Sequence, residues 1–214
     1  MKLIIFDLDG TLLNTIDDLT DAVNYALWEY GFASHSLDEC RNLVGNGVTK
    51  LMERALPENA RTPENIARMR ELFFNYYNDH LWDKTRPYPG LRSILPALQT
   101  RGIKLAVASN KYQSATERLI EHFFPQVTFV SVLGQRENVP TKPHPQIVQD
   151  ILAAAGENPA HVLYIGDSEV DMQTAQNAGV KACGVTWGFR SREVLIDCQP
   201  DYLIDTPQEL VNLV

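Results

Sequence analysis

The sequence is poor in cysteine: Cys40, Cys183 and Cys198 are all it has, and none falls in a CxxC pair. That argues against a cysteine zinc site and a disulfide framework, and is the pattern of reduced thiols in a cytoplasmic protein. Positive charge is also short. Lys and Arg number 19 against 27 Asp and Glu, a net charge of -8, so nothing draws the chain generally to nucleic acid or to an anionic membrane. No apolar run approaches the roughly 20 residues of a membrane span. The apolar start is interrupted by Asp7 and has no small-residue cleavage site behind it. There is no GxxxxGK[ST] loop, and His35, His80, His122, His144 and His161 show no metal-ligand spacing. These absences point to a soluble cytoplasmic protein whose partner is a small molecule. An anionic substrate would have to be caught by a local site.

What is present is alternation. Apolar runs of strand character recur at 3–6, 103–108, 127–130, 162–165 and 182–185, with helical patterns between most of them. Residues 202–204 could add an edge strand and 207–213 a closing helix. The expected class is α/β, a Rossmann-like parallel sheet with helices on both faces. Residues 15–84 break the rhythm with several helix starts and no strand. Thr15 can cap a first helix ending near Tyr30, Ser36 and Glu39 match a capping box, and Thr62-Pro63-Glu64 opens a long amphipathic helix. The expected organisation is a core of 1–14 and 86–214 with a helical cap, 15–85, inserted after the first strand. Its two short crossings would form a hinge.

Four strand ends carry polar groups. Asp7 and Asp9 follow the first run, with Gly10 as the turn residue. On a continuing strand they would face the same way and repel unless a proton or a cation lay between them. Ser109 and Asn110 stand where the second run turns toward a helix, placed either to cap it or to hold an anion. Lys142, among prolines, is either a fixed point charge or a solvated loop residue. Gly166 leads into Asp167, Ser168, Glu169 and Asp171; Asp171, in the new helix, could turn back toward Lys142 or a metal-bound water. Strands of one parallel sheet present these ends side by side. Together they provide the carboxylates, hydroxyl, amide and lysine of a magnesium-phosphate site.

The ordered set Asp7-Leu8-Asp9-Gly10-Thr11, Ser109-Asn110, Lys142 and Gly166-Asp167-Ser168-Glu169-Val170-Asp171 resembles the four motifs of the haloacid dehalogenase-like hydrolase superfamily. The inserted helices resemble its helical-cap subgroup. Leu43-Val44-Gly45-Asn46-Gly47 and Leu51–Leu56 look most like the phosphoglycolate phosphatase branch. Asn14-Thr15 departs from that branch, which often has an acid before Ser or Thr, a change expected to bear on the hinge more than on the chemistry.

The resemblance implies a phosphatase acting on a small-molecule phosphate ester, 2-phosphoglycolate first. Asp7 would be the nucleophile and Asp9 the acid and base. Mg2+ would be held by Asp7, the Asp9 carbonyl and Asp167, with Ser109 and Lys142 on the phosphoryl oxygens. Thr11 and Asp171 would support these groups. Gly10, Asn110 and the Gly45-Asn46-Gly47 loop would meet the substrate. Arg41 and Lys50 flank that loop and are read as solvated charge. A phosphomutase or a non-catalytic sugar-phosphate sensor are the other readings of the same motifs. Oligomeric state, monomer or homodimer, is left open by the aromatic-rich cap.

Overall fold

A computed structural model describes residues 1–213. The first strand, β1 (Leu3–Phe6), is fully buried and is followed by a short strand, β2 (Leu13–Asn14). Four helices come next: α1 (Ile16–Glu29), α2 (Leu37–Leu43), α3 (Gly47–Ala55) and α4 (Pro63–Tyr77). The chain returns through β3 (Arg86–Pro87), which pairs antiparallel with β2. The two expected crossings are therefore hydrogen-bonded to each other.

The remainder alternates: α5 (Leu91–Thr100), β4 (Lys104–Tyr112), α6 (Gln113–Phe123), β5 (Phe129–Gln135), α7 (Gln146–Ala155), β6 (Val162–Gly166), α8 (Glu169–Ala178), β7 (Lys181–Val185), α9 (Arg192–Asp197) and β8 (Tyr202–Ile204). The main sheet is parallel throughout, in the order β5-β4-β1-β6-β7-β8. The period of two along each strand divides the core between its faces. Ile4, Phe6, Val107 and Ile165 pack on one side with α5, α6 and the inserted helices; Leu3, Ile5, Ala106 and Tyr164 pack on the other with α7 and α8. This is the expected α/β architecture, and β1 lies between β4 and β6, so the ends of all three meet at one edge.

Several local expectations are corrected. The strand expected to end at Ala108 runs on to Tyr112, with a register shift against β5 after Ala108, so Ser109 and Asn110 belong to the strand and α6 starts at Gln113. The strand expected at 127–130 starts at Phe129, and the closing helix is a 3-10 helix, Pro207–Asn212. Thr15 precedes α1 without a side-chain capping bond; its backbone is not in the extended conformation of a capping residue, and its hydroxyl donates to Asp9. Ser36 with Glu39 does form a capping box, and Thr62 caps α4 through the Asn65 N–H. No helix among the described residues is long and apolar enough to cross a membrane.

Candidate active site

Asp7 is the first residue past β1 and is 7% exposed. Its N–H donates to the Ile165 carbonyl of β6 at 2.8 Å, which fixes it at the sheet edge. Lys142 reaches it from the loop before α7. The ammonium donates to Asp7 Oδ1 at 2.8 Å, Asp171 Oδ1 at 2.7 Å and the Ala108 carbonyl at 3.0 Å, using all three of its hydrogens. Asn110 holds that lysine's backbone at both ends: Oδ1 accepts from the Lys142 N–H at 2.9 Å, and Nδ2 donates to the Lys142 carbonyl at 3.1 Å.

Asp171 sits in the first turn of α8, where Ser168 and Asp171 form a reciprocal capping box. Its Oδ2 accepts from the Ser168 hydroxyl at 2.6 Å and N–H at 3.2 Å, leaving Oδ1 to face Lys142. Asp167 lies on the intervening turn, and its Oδ2 accepts from the Phe189 N–H at 2.6 Å. Two glycines make room for it. A Cβ on Gly10, whose φ is +83°, would fall 2.1 Å from Asp167 Oδ2, and one on Gly188 would fall 2.2 Å from the Asp167 Cβ.

Asp7, Asp167 and Asp171 each bring a carboxylate oxygen within 4.8 Å of the others, all buried. Burial pushes the Asp7 carboxyl up to about 7; Asp171 adds to the rise, and Lys142 offsets it only in part. Burial first, then Asp171 and Asp7, push Asp167 well above the ordinary carboxyl range. Burial alone would pull the Lys142 ammonium down, but Asp171 and Asp7 reverse this and hold it well above its usual value. One lysine is thus set against three buried acids. Asp171 already accepts at both oxygens, whereas Asp7 Oδ2 and Asp167 Oδ1 accept no hydrogen bond within the described residues. That donor set fits a hard divalent cation, which asks for a few carboxylate oxygens.

Asp9 does not join this cluster. β1 ends at Phe6, before both acids, so strand geometry does not govern them; both line the cavity, with the Asp9 carboxylate outside the group of three. The Asp9 carboxylate instead lies 3.0 Å from Lys111 Nζ and accepts from the Thr15 hydroxyl at 2.7 Å. Thr11, expected beside Asp9, has a buried hydroxyl with no partner, and its carbonyl accepts from Trp187 Nε1. Ser109 is buried, with its hydroxyl accepting from the Lys111 N–H.

Above this edge the inserted helices roof a cavity, with Leu19, Val44, Val48, Leu51 and Phe73 over it and the sheet-edge residues on its floor. Gly45 and Gly47 line it. Asn46 does not, because its side-chain oxygen accepts from Arg54 within the helical block. The Gly45 carbonyl, rather than an N–H, faces the core and accepts from Asn110 at 2.9 Å. Arg41 and Lys50 pair on the exposed surface with Asp38 and Glu53.

Residues outside the four motifs complete the site. Arg190 donates to the Arg41 and Val44 carbonyls at 2.6 and 2.9 Å and to Glu169 at 3.1 Å, tying the helical block to the core. Lys111 and Tyr77 line the cavity. Lys111 directly follows Ser109 and Asn110 in the segment where β4 departs from its register with β5, and all three line the cavity.

Comparison with known proteins agrees with this geometry. The family model described as haloacid dehalogenase-like hydrolase matches residues 4–185. A phosphoglycolate phosphatase of Psychrobacter arcticus is 34% identical over 99% of this chain and 94% of its own, and one of Mannheimia succiniciproducens 32% identical over 100% and 98%. The crystal structure of a candidate phosphoglycolate phosphatase from Lactobacillus delbrueckii subsp. bulgaricus superposes with a TM-score of 0.94 at 35% identity, covering 99% of this chain and 97% of that one. The chain belongs to the haloacid dehalogenase-like hydrolase family. Within it the chain is a phosphatase, an enzyme of the phosphoric monoester hydrolase class.

Proposed function

We propose that this phosphatase is Mg2+-dependent and hydrolyses a small phosphorylated metabolite, with 2-phosphoglycolate the first candidate, through an aspartyl-phosphate on Asp7. The observation that carries the reading is the set of contacts beneath the cavity: a buried Asp7 beside Lys142, with Asp167 within reach and Asp9 held apart by its own partners. The matched full-length relatives bear the name phosphoglycolate phosphatase, which supports the choice of substrate.

In this reading the Asp7 carboxylate attacks phosphorus and the bond to the leaving alkoxide breaks. Asp9 delivers the proton that the alkoxide needs, then takes one from the water that cleaves the acyl phosphate. Lys142 and Ser109 neutralise the transferring oxygens, and Asp171 keeps the Lys142 ammonium aimed. Asp7, the Asp9 carbonyl and Asp167 would hold Mg2+, which when bound supplies charge compensation for the phosphoryl group. Thr11 and Gly10 shape the turn, Asn110 fixes the Lys142 loop, and Gly45 to Gly47 form the lid margin over the substrate. Residues 15–85 act as the cap on a core of 1–14 and 86–214.

The test is phosphate release from a panel of phosphomonoesters that includes 2-phosphoglycolate and hexose phosphates, with Mg2+ or EDTA, for the native chain beside Asp7→Asn. Fast metal-dependent release, greatest for 2-phosphoglycolate and lost in Asp7→Asn, is expected. No release from any ester in Mg2+ would overturn the reading, and a requirement for a sugar bisphosphate would turn it toward a phosphomutase.

A further inference from the structure

Two buried lysines face the same cavity and differ in one respect. Lys142 spends all three ammonium hydrogens on Asp7, Asp171 and the Ala108 carbonyl. The Lys111 side chain is as deeply buried, 3% exposed, yet has one oxygen neighbour among the described residues, Asp9 Oδ1 at 3.0 Å. Its other close neighbour is the face of the Tyr77 ring, 4.8 Å from ammonium to centroid. A buried ammonium with hydrogens left over is costly unless an acceptor arrives.

Tyr77 supplies a second, independent observation. It is 0% exposed, it lines the cavity, and its hydroxyl has no hydrogen-bond partner. Burial raises its phenol well above the ordinary value, so it stays a donor. The remaining cation on the wall, Arg190, is held in place by Glu169 and by the Arg41 and Val44 carbonyls, which take three of its five N–H donors. Most of the roof is apolar and offers an anion nothing.

We propose that Lys111 and Tyr77 form a carboxylate subsite that selects phosphate monoesters of α-hydroxy acids, the carboxylate on the carbon next to the ester oxygen being received by the two unspent donors. The inference rests on the phosphatase reading, in which Asp9 stands beside the leaving oxygen. Lys111 touches Asp9, so a group on the adjacent carbon meets its ammonium first. Strand β4 brings the lysine from the core and helix α4 brings the tyrosine from the inserted block, so this subsite is complete only when the two halves are together.

The experiment compares kcat/KM for 2-phosphoglycolate with that for 2-hydroxyethyl phosphate, which keeps the phosphate and chain but lacks the carboxylate. The native protein, Lys111→Met, Lys111→Arg and Tyr77→Phe are each measured on both esters. Native preference for the carboxylate ester is expected to fall by roughly 10- to 100-fold in Lys111→Met and by a few fold in Tyr77→Phe, with Lys111→Arg retaining part of it. The ratio within one variant is insensitive to how much of that variant folds. An unchanged ratio in Lys111→Met and Tyr77→Phe, or a native enzyme that cleaves both esters alike, would overturn the proposal and leave the phosphatase reading standing. A native enzyme that cleaves no phosphomonoester would overturn both.

Discussion

Asp18 accepts both the backbone N–H and the side-chain hydroxyl of Thr85, at 2.8 and 2.7 Å, and is itself 1% exposed. It also accepts from the Lys84 N–H at 3.0 Å. One carboxylate in the first turn of α1 thereby fastens the chain leaving the core to the chain returning to it, beside the β2–β3 pair. Removing it leaves two backbone donors and a hydroxyl without their acceptor. Asp18→Ala is expected to lower unfolding free energy by about 2–4 kcal/mol. Urea unfolding measures this; a midpoint equal to that of the native chain would show that the two crossings are held by other contacts.

Asp171 shares the Lys142 ammonium with Asp7, its Oδ1 lying 2.7 Å from it. In the proposed reaction its charge and its capping bonds with Ser168 would aim the lysine rather than touch substrate. Asp171→Asn should lower kcat by roughly 10- to 100-fold, with KM changed less. Steady-state kinetics decide it, and an equal loss in Asp171→Asn and in a surface control such as Asp38→Asn would contradict the positioning role.

Protons and a divalent cation should compete for Asp7 and Asp167. Burial, then Asp171, raise Asp7 from 3.8 to about 7, and Asp167 shifts in the same direction. Between those two values the folded chain binds more protons than the unfolded one, so stability present at low pH is lost as pH rises through about 7. In EDTA, Tm should therefore fall as pH is raised across that window. The rise in Tm produced by Mg2+ should be larger above it than below. A Mg2+ increment independent of pH would contradict this.

Gly188 has no room for a side chain, since its Cβ would lie 2.2 Å from that of Asp167 and 2.5 Å from the Gly10 carbonyl. Gly188→Ala is expected to displace Asp167 and weaken Mg2+ activation, raising the half-saturating Mg2+ concentration by roughly 10-fold or more. Titration of activity with Mg2+ tests it, and native half-saturation would show that the loop moves without disturbing the carboxylate.

The parts of the site that follow from period and placement were legible in the sequence. An apolar run ending in Asp7 and another ending in Gly166-Asp167 announce strand ends, and helical spacing carries Asp171 back toward Lys142. Period-two reasoning does not place the Asp9 side chain, because it holds only while the strand continues and β1 stops at Phe6. Ser109 and Asn110 have the composition of a helix cap. They remain in β4 because Asn110 is occupied by the Lys142 backbone and Gly45, contacts 32 and 65 residues away in sequence. Arg190, which reaches across 149 and 146 residues to the Arg41 and Val44 carbonyls, has no local pattern at all. Contacts of that kind depend on how the inserted helices settle on the sheet, and the same is true of Tyr77 above Lys111.

In the proposed reaction Asp7 becomes covalently phosphorylated. The direct measurement is acid quenching of the native chain during turnover of 2-phosphoglycolate in Mg2+, followed by mass spectrometry of the peptide that contains Asp7. A phosphoryl group on Asp7, absent without substrate and absent from Asp7→Asn, is expected. Phosphate release that continues undiminished in Asp7→Asn, with no adduct on the native peptide, would contradict it.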